Sequence, residues 1–326
     1  MRMFLRSSRL FAIIAPLLLS GCAIGMKVPI KDPTPSTAQY MRPASATSNS
    51  LVFTDARSPE NKAQPVTGRI SMQLVSPDNK PFDPIPWLAS NTVKELAARC
   101  VPAQLSTDTA GASSVVVRLL QIENRRVSGF SPFETFTSLK ADVVTGKGTQ
   151  RVAAFIMRGK VPVWSFDEVI DPTYNDPLDL VGKELAAKIN QILFDAKLSD
   201  AQVDELVART SSPTVNFRDV YELGFGNNTR AIPQLVNLSS NQDGYVMRAA
   251  ISSLGVLHAD QHFDLLTKQA ENAKGSWEDR AIALKAIGDL GTPQSRAYLE
   301  KKRARLDKLT DAEAVRAKGL ISLYLD

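Results

Sequence analysis

A short apolar-glycine pair recurs three times in the C-terminal part of the chain and constrains its fold more than any other feature. The pairs lie 31 and 33 residues apart, and each glycine is followed eleven residues later by a leucine. The pairs are Leu223-Gly224, Leu254-Gly255 and Ile287-Gly288, and the leucines are Leu235, Leu266 and Leu299. Because one helix pair cannot bury its apolar face alone, this period predicts stacked helix–turn–helix units within residues 198–326.

These units resemble HEAT-like repeats of the short variety. The predicted units are Asp219 to Leu238, Tyr245 to Ala270 and Trp277 to Leu306, with a closing helix from Ala312 to Tyr324. The resemblance implies an all-α repeat domain whose extended surface contacts protein partners. The alternative is a helical bundle without repeats, in which the Leu-Gly pairs are coincidental.

Residues 1–21 have the order of a secretion signal. Arg2, Arg6 and Arg9 precede an apolar run from Phe11 to Leu19, and two small residues follow it. The run is about half of the ~20 residues that a transmembrane helix needs.

The signal ends in Leu19-Ser20-Gly21-Cys22, which resembles the lipobox of bacterial lipoproteins. The resemblance implies cleavage before Cys22 and acylation of this cysteine with fatty acids such as palmitate. Two or three acyl chains anchor a protein stably, whereas one anchors it marginally. Ala23 after the cysteine implies sorting to the outer membrane, with the protein facing the periplasm. An ordinary signal peptide with an incidental cysteine is the alternative.

Residues 22–50 contain four prolines among Ser, Thr and Ala and show no apolar periodicity. This composition predicts a flexible tether, which would reach ~90 Å when fully extended. We therefore expect the tether to hold a folded body away from the membrane.

Residues 51–197 alternate strand and helix patterns. The predicted strands cover 51–54, 68–75, 113–122, 136–142, 151–157 and 161–166, and the predicted helices cover 87–99 and 180–194. This order predicts an α+β domain with a mostly antiparallel sheet and helices on one side. The segment from Val52 to Arg57, the central helix, the long strand pair and the closing helix resemble the YajG-type bacterial lipoproteins. The resemblance implies fold and location, and no enzymatic chemistry.

The charge of the chain argues against a nucleic-acid partner. The sequence has 39 basic and 34 acidic residues, a net charge of +5. The signal segment contains three of the arginines and no acid, so 36 basic and 34 acidic residues remain after it. Neither half of the mature chain then has the positive field that a phosphate backbone requires.

Two sets of residues are candidate partner surfaces. Phe130 and Phe133 lie in a turn between two predicted strands and are expected to form an exposed tip that docks a partner or a membrane, or else to fold back on the sheet. The basic residues of the third unit's second helix could meet an anionic partner or lipid, or could be an ordinary solvated face. The members of this basic set are Arg296, Lys301, Lys302 and Arg305.

Two weak metal patterns are present, and no cofactor is expected. His258 and His262 are four residues apart and could bind a metal with Asp260 or Asp264. The alternative is that Asp260 caps a helix. Five acids within 167–179 could hold calcium, but prolines interrupt them and favour a solvated loop ending in a helix cap at Asp179.

No nucleophile elbow, phosphate-binding loop or dinucleotide-binding glycine motif occurs in the sequence. We therefore expect a non-enzymatic periplasmic lipoprotein that acts as an adaptor or scaffold through protein–protein contacts. One alternative is an accessory subunit of an envelope transport or assembly complex. Another is an envelope hydrolase that uses carboxylates in the interdomain cleft, and it requires two carboxylates converging in a closed pocket.

Overall fold

A mixed β-sheet with covering helices is followed by a helical C-terminal region in a computed structural model, which describes residues 25–41 and 48–326. The coarse prediction of an α+β part followed by a helical part is confirmed. The signal segment and Cys22 lie outside the described residues.

The strands of the described ranges are β1 Met26–Pro29, β2 Asn49–Asp55, β3 Val66–Gly68, β4 Met72–Val75, β5 Ala103–Leu105, β6 Ser113–Arg125, β7 Phe133–Thr145 and β8 Gly148–Lys160. The large sheet has the order β5-β2-β6-β7-β8, and β3 also pairs with β6. The strand β7 is antiparallel to β6 and β8, whereas β2 and β3 are parallel to β6. The sheet is therefore mixed, with antiparallel pairing along the long strands β6, β7 and β8 and parallel pairing at the short strands β2, β3 and β5. Parallel pairs require crossover connections, which the strand patterns alone do not reveal.

Two predicted strands differ from the structure. The segment 68–75 is divided into β3 and β4 at Gly68, whose φ of 123° is a conformation that L side chains rarely adopt. The segment 161–166 is a loop. Since β7 begins at Phe133 opposite Lys160, residues beyond Lys160 have no partner on β7.

Residues 25–41, here called the N-terminal strap, are packed on the folded body. Strand β1 pairs in parallel with β4. Val28 is 0% exposed and Ile30 is 1% exposed, and the Tyr40 hydroxyl donates to the Phe225 carbonyl at 2.6 Å. The predicted flexible tether is therefore wrong for this segment. Its apolar alternation is short, and its partner strand lies far along the chain, so local composition gave no sign of the pairing.

The helices that accompany the sheet are α1 Pro59–Ala63, α2 Pro84–Ala98, α3 Asp167–Ile170 and α4 Asp176–Leu193. A π-helical segment, Asp171–Asn175, joins α3 to α4 without a break. The predicted acidic loop over 167–179 is wrong, because Pro172 and Pro177 stand in the first turns of helical segments. Each proline lacks a backbone N–H, so the helical run continues through both positions without a hydrogen-bond donor there.

The helical region contains α5 Asp200–Thr210, α6 Phe217–Phe225, α7 Ile232–Leu238, α8 Gly244–Val256, α9 Phe263–Ala270, α10 Trp277–Leu290, α11 Pro293–Leu306 and α12 Ala312–Leu325. The leading helices α6, α8, α10 and α12 pack on one another in that order. The second helices α7, α9 and α11 each follow a short turn. Their bounds fall close to those of the predicted units.

The repeated glycines explain how closely the leading helices approach. A Cβ built at each glycine would lie too near the next leading helix: 2.5 Å from Ser253 Cβ for Gly224, 2.6 Å from Ala286 Cα for Gly255 and 2.5 Å from the Tyr324 ring for Gly288. The glycines recur in the sequence because the same close contact between leading helices is repeated. The three leucines that follow the glycines are buried.

Candidate functional site

Four charged side chains are buried where the sheet domain meets the helical region. Glu184 and Lys188 lie one turn apart on α4, and Lys285 and Asp289 lie one turn apart on α10. This i, i+4 spacing places each pair on one helix face. Glu184 and Lys285 are 0% exposed, and the other two are also buried. We call these residues the ion quartet.

Each ammonium group of the ion quartet contacts both carboxylates. Lys285 Nζ lies 2.7 Å from Glu184 Oε1 and 2.7 Å from Asp289 Oδ2. Lys188 Nζ lies 2.7 Å from Glu184 Oε1 and 2.6 Å from Asp289 Oδ1. The Tyr324 hydroxyl also donates to Asp289 Oδ1, at 3.0 Å. The two positive and two negative charges cancel, which is the condition under which charges are tolerated in a protein interior.

The pKa shifts of Asp289 and Lys285 show that these two groups are stabilised in charged form. Burial alone would raise the pKa of Asp289, but the ammonium groups of Lys188 and Lys285 outweigh burial, and the pKa is lowered. Burial alone would lower the pKa of Lys285, but Asp289 and Glu184 outweigh it, and the pKa is raised. Burial raises the pKa of Tyr324 well above its ordinary value, so this phenol is a neutral donor.

A cleft of about 530 Å³ lies beside the ion quartet, and its lining includes Arg151, His258 and Asp289. The convergence of two carboxylates at a domain boundary is the feature that the hydrolase hypothesis requires. The geometry does not fit that chemistry, because both carboxylates are bridged by the same ammonium groups. Paired catalytic carboxylates stand roughly 5–10 Å apart with the substrate between them. The arrangement is suited to joining the two parts of the protein rigidly.

A second buried network joins the strap to both parts of the protein. Arg99 at the end of α2 is 1% exposed, and its Nε lies 2.6 Å from Glu95 Oε1. Its NH1 and NH2 donate to the two oxygens of Glu222 on α6, at 2.7 and 2.8 Å. Arg99 NH2 also donates to Ser36 Oγ of the strap at 2.9 Å. One guanidinium group therefore ties the strap, the sheet domain and the helical region together.

The two phenylalanines of the predicted tip have opposite environments. Phe130 is 98% exposed, as predicted. Phe133 is 1% exposed and packs against Phe166 and Tyr174, with ring centroids 6.4 and 6.1 Å apart. An exposed tip is therefore wrong for Phe133, which follows the predicted alternative of folding back, because this residue begins β7 and faces the helical cover. Sequence reasoning also missed Trp164, which is 84% exposed, since its segment was predicted to be a strand.

The predicted basic surface of α11 is largely occupied by ion pairs. Lys302 and Arg305 contact Glu271 at 2.9 and 2.7 Å, and Arg296 contacts a glutamate on its own helix at 3.1 Å. Burial alone would raise the pKa of Glu271, but hydrogen bonds, foremost from Lys302, lower it to about 2. Lys301 is exposed and forms no ion pair with the described residues. The pairs join α9 to α11 and reduce the positive charge of this face.

The predicted metal patterns do not form a site. His258 has a φ of 50° and follows the end of α8, whereas His262 ends a separate turn before α9, so the two do not share a helix face. Asp260 begins that turn and makes no side-chain cap. Within 25–41 and 48–326, no group of three or more His, Cys, Asp or Glu side chains is arranged to hold a metal ion.

Three of the five acids in segment 167–179 form close ion pairs with basic residues. Asp171 contacts Lys31 of the strap at 2.8 Å, and Asp176 and Asp179 contact Arg218 at 2.5 and 2.9 Å. The acids therefore join the strap and α6 to the sheet domain. This pairing gives no support to the calcium alternative.

Comparisons with known proteins find likenesses among solved structures and none among sequences. No protein-family model matches the chain, and no curated protein matches it. A crystal structure of a minor lipoprotein from Acinetobacter baumannii matches with a TM-score of 0.29 and 11% identity, covering 47% of this chain and 99% of that one. A protein described only as uncharacterised matches with a TM-score of 0.31 and 12% identity, covering 48% and 99%. At these TM-scores the likenesses carry no argument about function. None of the helices in the described ranges is both long and apolar enough to cross a bilayer.

Proposed function

We propose that this chain is a non-enzymatic adaptor of the bacterial cell envelope, anchored through acyl chains on Cys22 and facing the periplasm at the outer membrane. The observation that carries the proposal is the Leu19-to-Cys22 pattern at the end of a secretion signal. Met26, the first residue of β1, lies four positions after this cysteine. An acylated Cys22 would hold the folded body at a membrane surface.

The helical region supplies the contact surface of the proposed adaptor, and we assign it to the HEAT-like class. The repeated close contacts at Gly224, Gly255 and Gly288 support this assignment. The leading helices α8 and α10 bury most of their residues, whereas α9 and α11 bury only two residues each. The outer row of second helices is therefore the surface that a protein partner would meet. The sheet domain is assigned to the YajG type on the sequence features given above.

The ion quartet and the Arg99 network support an adaptor in a second way. Both networks are buried and charge-paired across the boundary between the sheet domain and the helical region. A rigid connection fixes the orientation of the outer helices relative to the membrane anchor. An adaptor needs such a fixed geometry to present one surface to a partner complex.

Replacing Cys22 tests the anchor. We expect wild-type protein in the membrane fraction after a high-salt wash and Cys22→Ser in the soluble fraction, with an acylated N-terminal cysteine in the wild type by mass spectrometry. The matched control is Cys100→Ser, which alters the other cysteine of the sequence and keeps the protein in the membrane. Retention of Cys22→Ser in washed membranes, or an unmodified native N-terminus, would refute the anchor.

Site-specific photo-crosslinking tests the adaptor surface. A photoreactive residue at Lys301, exposed on α11, should give a discrete crosslinked protein in native envelopes. The control is Lys147, which is exposed at the turn between β7 and β8. The surface assignment fails if both positions crosslink to the same proteins with equal yield, or if neither gives a product.

A further inference from the structure

Four exposed apolar side chains lie in two neighbouring loops at one end of the large sheet. Phe130 and Trp164 are 98% and 84% exposed, and Val127 and Val161 are 58% and 57% exposed. We call these four residues the apolar tip. Large exposed apolar side chains that cluster mark a surface that contacts something other than water.

The two loops that carry the apolar tip lie side by side. The loop of residues 126–132 joins β6 to β7, and the loop of residues 161–166 follows β8. Phe133 at the start of β7 pairs with Lys160 at the end of β8, so both loops leave the sheet at the same end. Pro132 and Val161 line one small cavity, which places the loops in proximity.

The N-terminal strap begins at this same end of the protein. Met26 N donates to Ser71 O at 3.0 Å, and the adjacent Ile70 N donates to Asn124 Oδ1 at 3.0 Å. Asn124 is the last but one residue of β6, directly before the loop that carries Phe130. The strap enters at the end that bears the apolar tip, with Gly25 against Ser71.

The length of chain before Gly25 fixes where the acyl chains can be. The Cα of Cys22 is three residue steps from that of Gly25, and these steps span at most ~11 Å. The loops of the apolar tip are about two strand spacings apart, or roughly 10 Å. A bilayer surface that accepts the acyl chains of Cys22 therefore comes to the end of the sheet where the tip is exposed.

The chemistry of this end suits a lipid headgroup region. Tryptophan and phenylalanine are favourable there because an apolar ring can enter the acyl boundary. Lys27, Arg69 and Arg126 lie at this end and form no ion pair with the residues in the described ranges. Asp167 and Glu168 offset part of this charge, and the excess is positive, which favours anionic lipid.

We propose that the apolar tip inserts into the headgroup region of the leaflet that holds the acyl chains of Cys22, so that the body rests directly on the membrane. The proposal rests on the proposed lipid anchor and adds the orientation of the body. The sheet stands with its tip end at the bilayer. This is the reverse of a body held away from the membrane on a long tether.

Fluorescence quenching in vesicles tests the insertion. The acylated full chain is reconstituted in vesicles of phosphatidylethanolamine and phosphatidylglycerol that contain lipids brominated near the headgroup end of the acyl chain. Trp164 is the strongly exposed tryptophan of the three in the sequence, since Trp277 is 9% exposed and Trp87 is partly buried. We expect blue-shifted, quenched emission from the wild type, and loss of the quenchable component in Trp164→Phe.

Two results would overturn the proposal, and flotation distinguishes them. If the acylated protein floats with the vesicles but its quenching equals that of Trp164→Phe, the anchor stands and the insertion is wrong. If the protein purified from native membranes is not acylated and does not float, the anchor itself fails, and the insertion fails with it.

A second measurement isolates the tip from the anchor. In the unacylated Cys22→Ser chain, we expect weak binding to the same vesicles. Phe130→Ser and Trp164→Ser should each weaken it roughly tenfold, since the burial of one large apolar side chain is worth about that factor. The matched control is Leu105→Ser, which is 47% exposed on β5 at the opposite end of the sheet. An equal loss in the control, or none in the tip variants, would contradict insertion.

Discussion

Replacement of Lys285 by methionine is the sharpest test of the ion quartet. The lysine is 0% exposed, and its Nζ lies 2.7 Å from one oxygen of Glu184 and 2.7 Å from one oxygen of Asp289. Methionine has a similar volume, so the main change is electrostatic. Two buried carboxylates would then share one ammonium group, Lys188. Removal of one partner from a buried ion pair costs about 3–5 kcal/mol, and we expect the free energy of unfolding to fall by that amount.

A second substitution tests whether charge balance is the cause. Glu184→Gln alone leaves one carboxylate with two ammonium groups and should also destabilise. Combined with Lys285→Met, it restores a neutral cluster of Lys188 and Asp289. The double variant should therefore be at least ~1 kcal/mol more stable than the sum of the single effects predicts, which is within the usual range for residues in one network.

Urea unfolding followed by circular dichroism gives these free energies. The chain is used in its Cys22→Ser form, so that no detergent is needed. The slope against urea is compared among variants, because a changed slope means that the two parts no longer unfold together. The reasoning is refuted if Lys285→Met loses less than ~1 kcal/mol, or if the two substitutions are simply additive.

Two further predictions concern the helical region. Gly255→Ala places a Cβ 2.6 Å from Ala286 Cα, so the free energy of unfolding from a thermal melt should fall by about 1–3 kcal/mol. In the control Gly319→Ala on α12, the new Cβ has no atom within 4 Å, and the free energy of unfolding should rise by about 0.5–1 kcal/mol. Equal effects of the two substitutions would contradict the packing role of Gly255. The pKa of Glu271 is lowered from 4.5 to about 2, so its stabilisation is present above pH 4.5 and is lost as the pH falls towards 2. Because this side chain is 41% exposed, Glu271→Gln should lower the free energy of unfolding at pH 7 by at most about 1 kcal/mol. Near pH 2 the variant and the wild type should unfold at the same urea concentration. A difference in unfolding free energy that stays constant from pH 7 to pH 2 would count against the pairing with Lys302.

The strap shows why local composition misled the prediction of a tether. Val28 and Ile30 are buried because β4 offers an unpaired edge, and that edge comes from residues 72–75. Prolines and small polar residues mark chain that lacks a partner of its own, but they do not exclude pairing with a distant strand. The consequence is large for the proposed anchor at Cys22, since its greatest distance from the packed strap falls from ~90 Å to ~11 Å at full extension.

The ion quartet was beyond the reach of sequence reasoning for a related cause. Lys188 and Asp289 are separated by 101 residues and meet only because α4 and α10 both pack on β8, which brings their charged side chains together. From the sequence alone, each residue would be predicted to lie on the solvent-exposed face of an amphipathic helix. The exposure of Phe130 and Phe133 differs for the same reason. The two residues lie three positions apart near one turn, and this spacing does not show which of the two rings the covering helices will bury.

The sequence by itself determined those features that depend on residues close together in the chain. The order of sheet part and helical part, the bounds of the paired helices and the positions of the repeated glycines are all local patterns, because helix period and turn chemistry act over a few residues. The tertiary structure alone decided the parallel pairing of β2 and β3 with β6, the docking of the strap and the buried charge network. These depend on residues that are far apart in the chain and become neighbours only when apolar faces pack together.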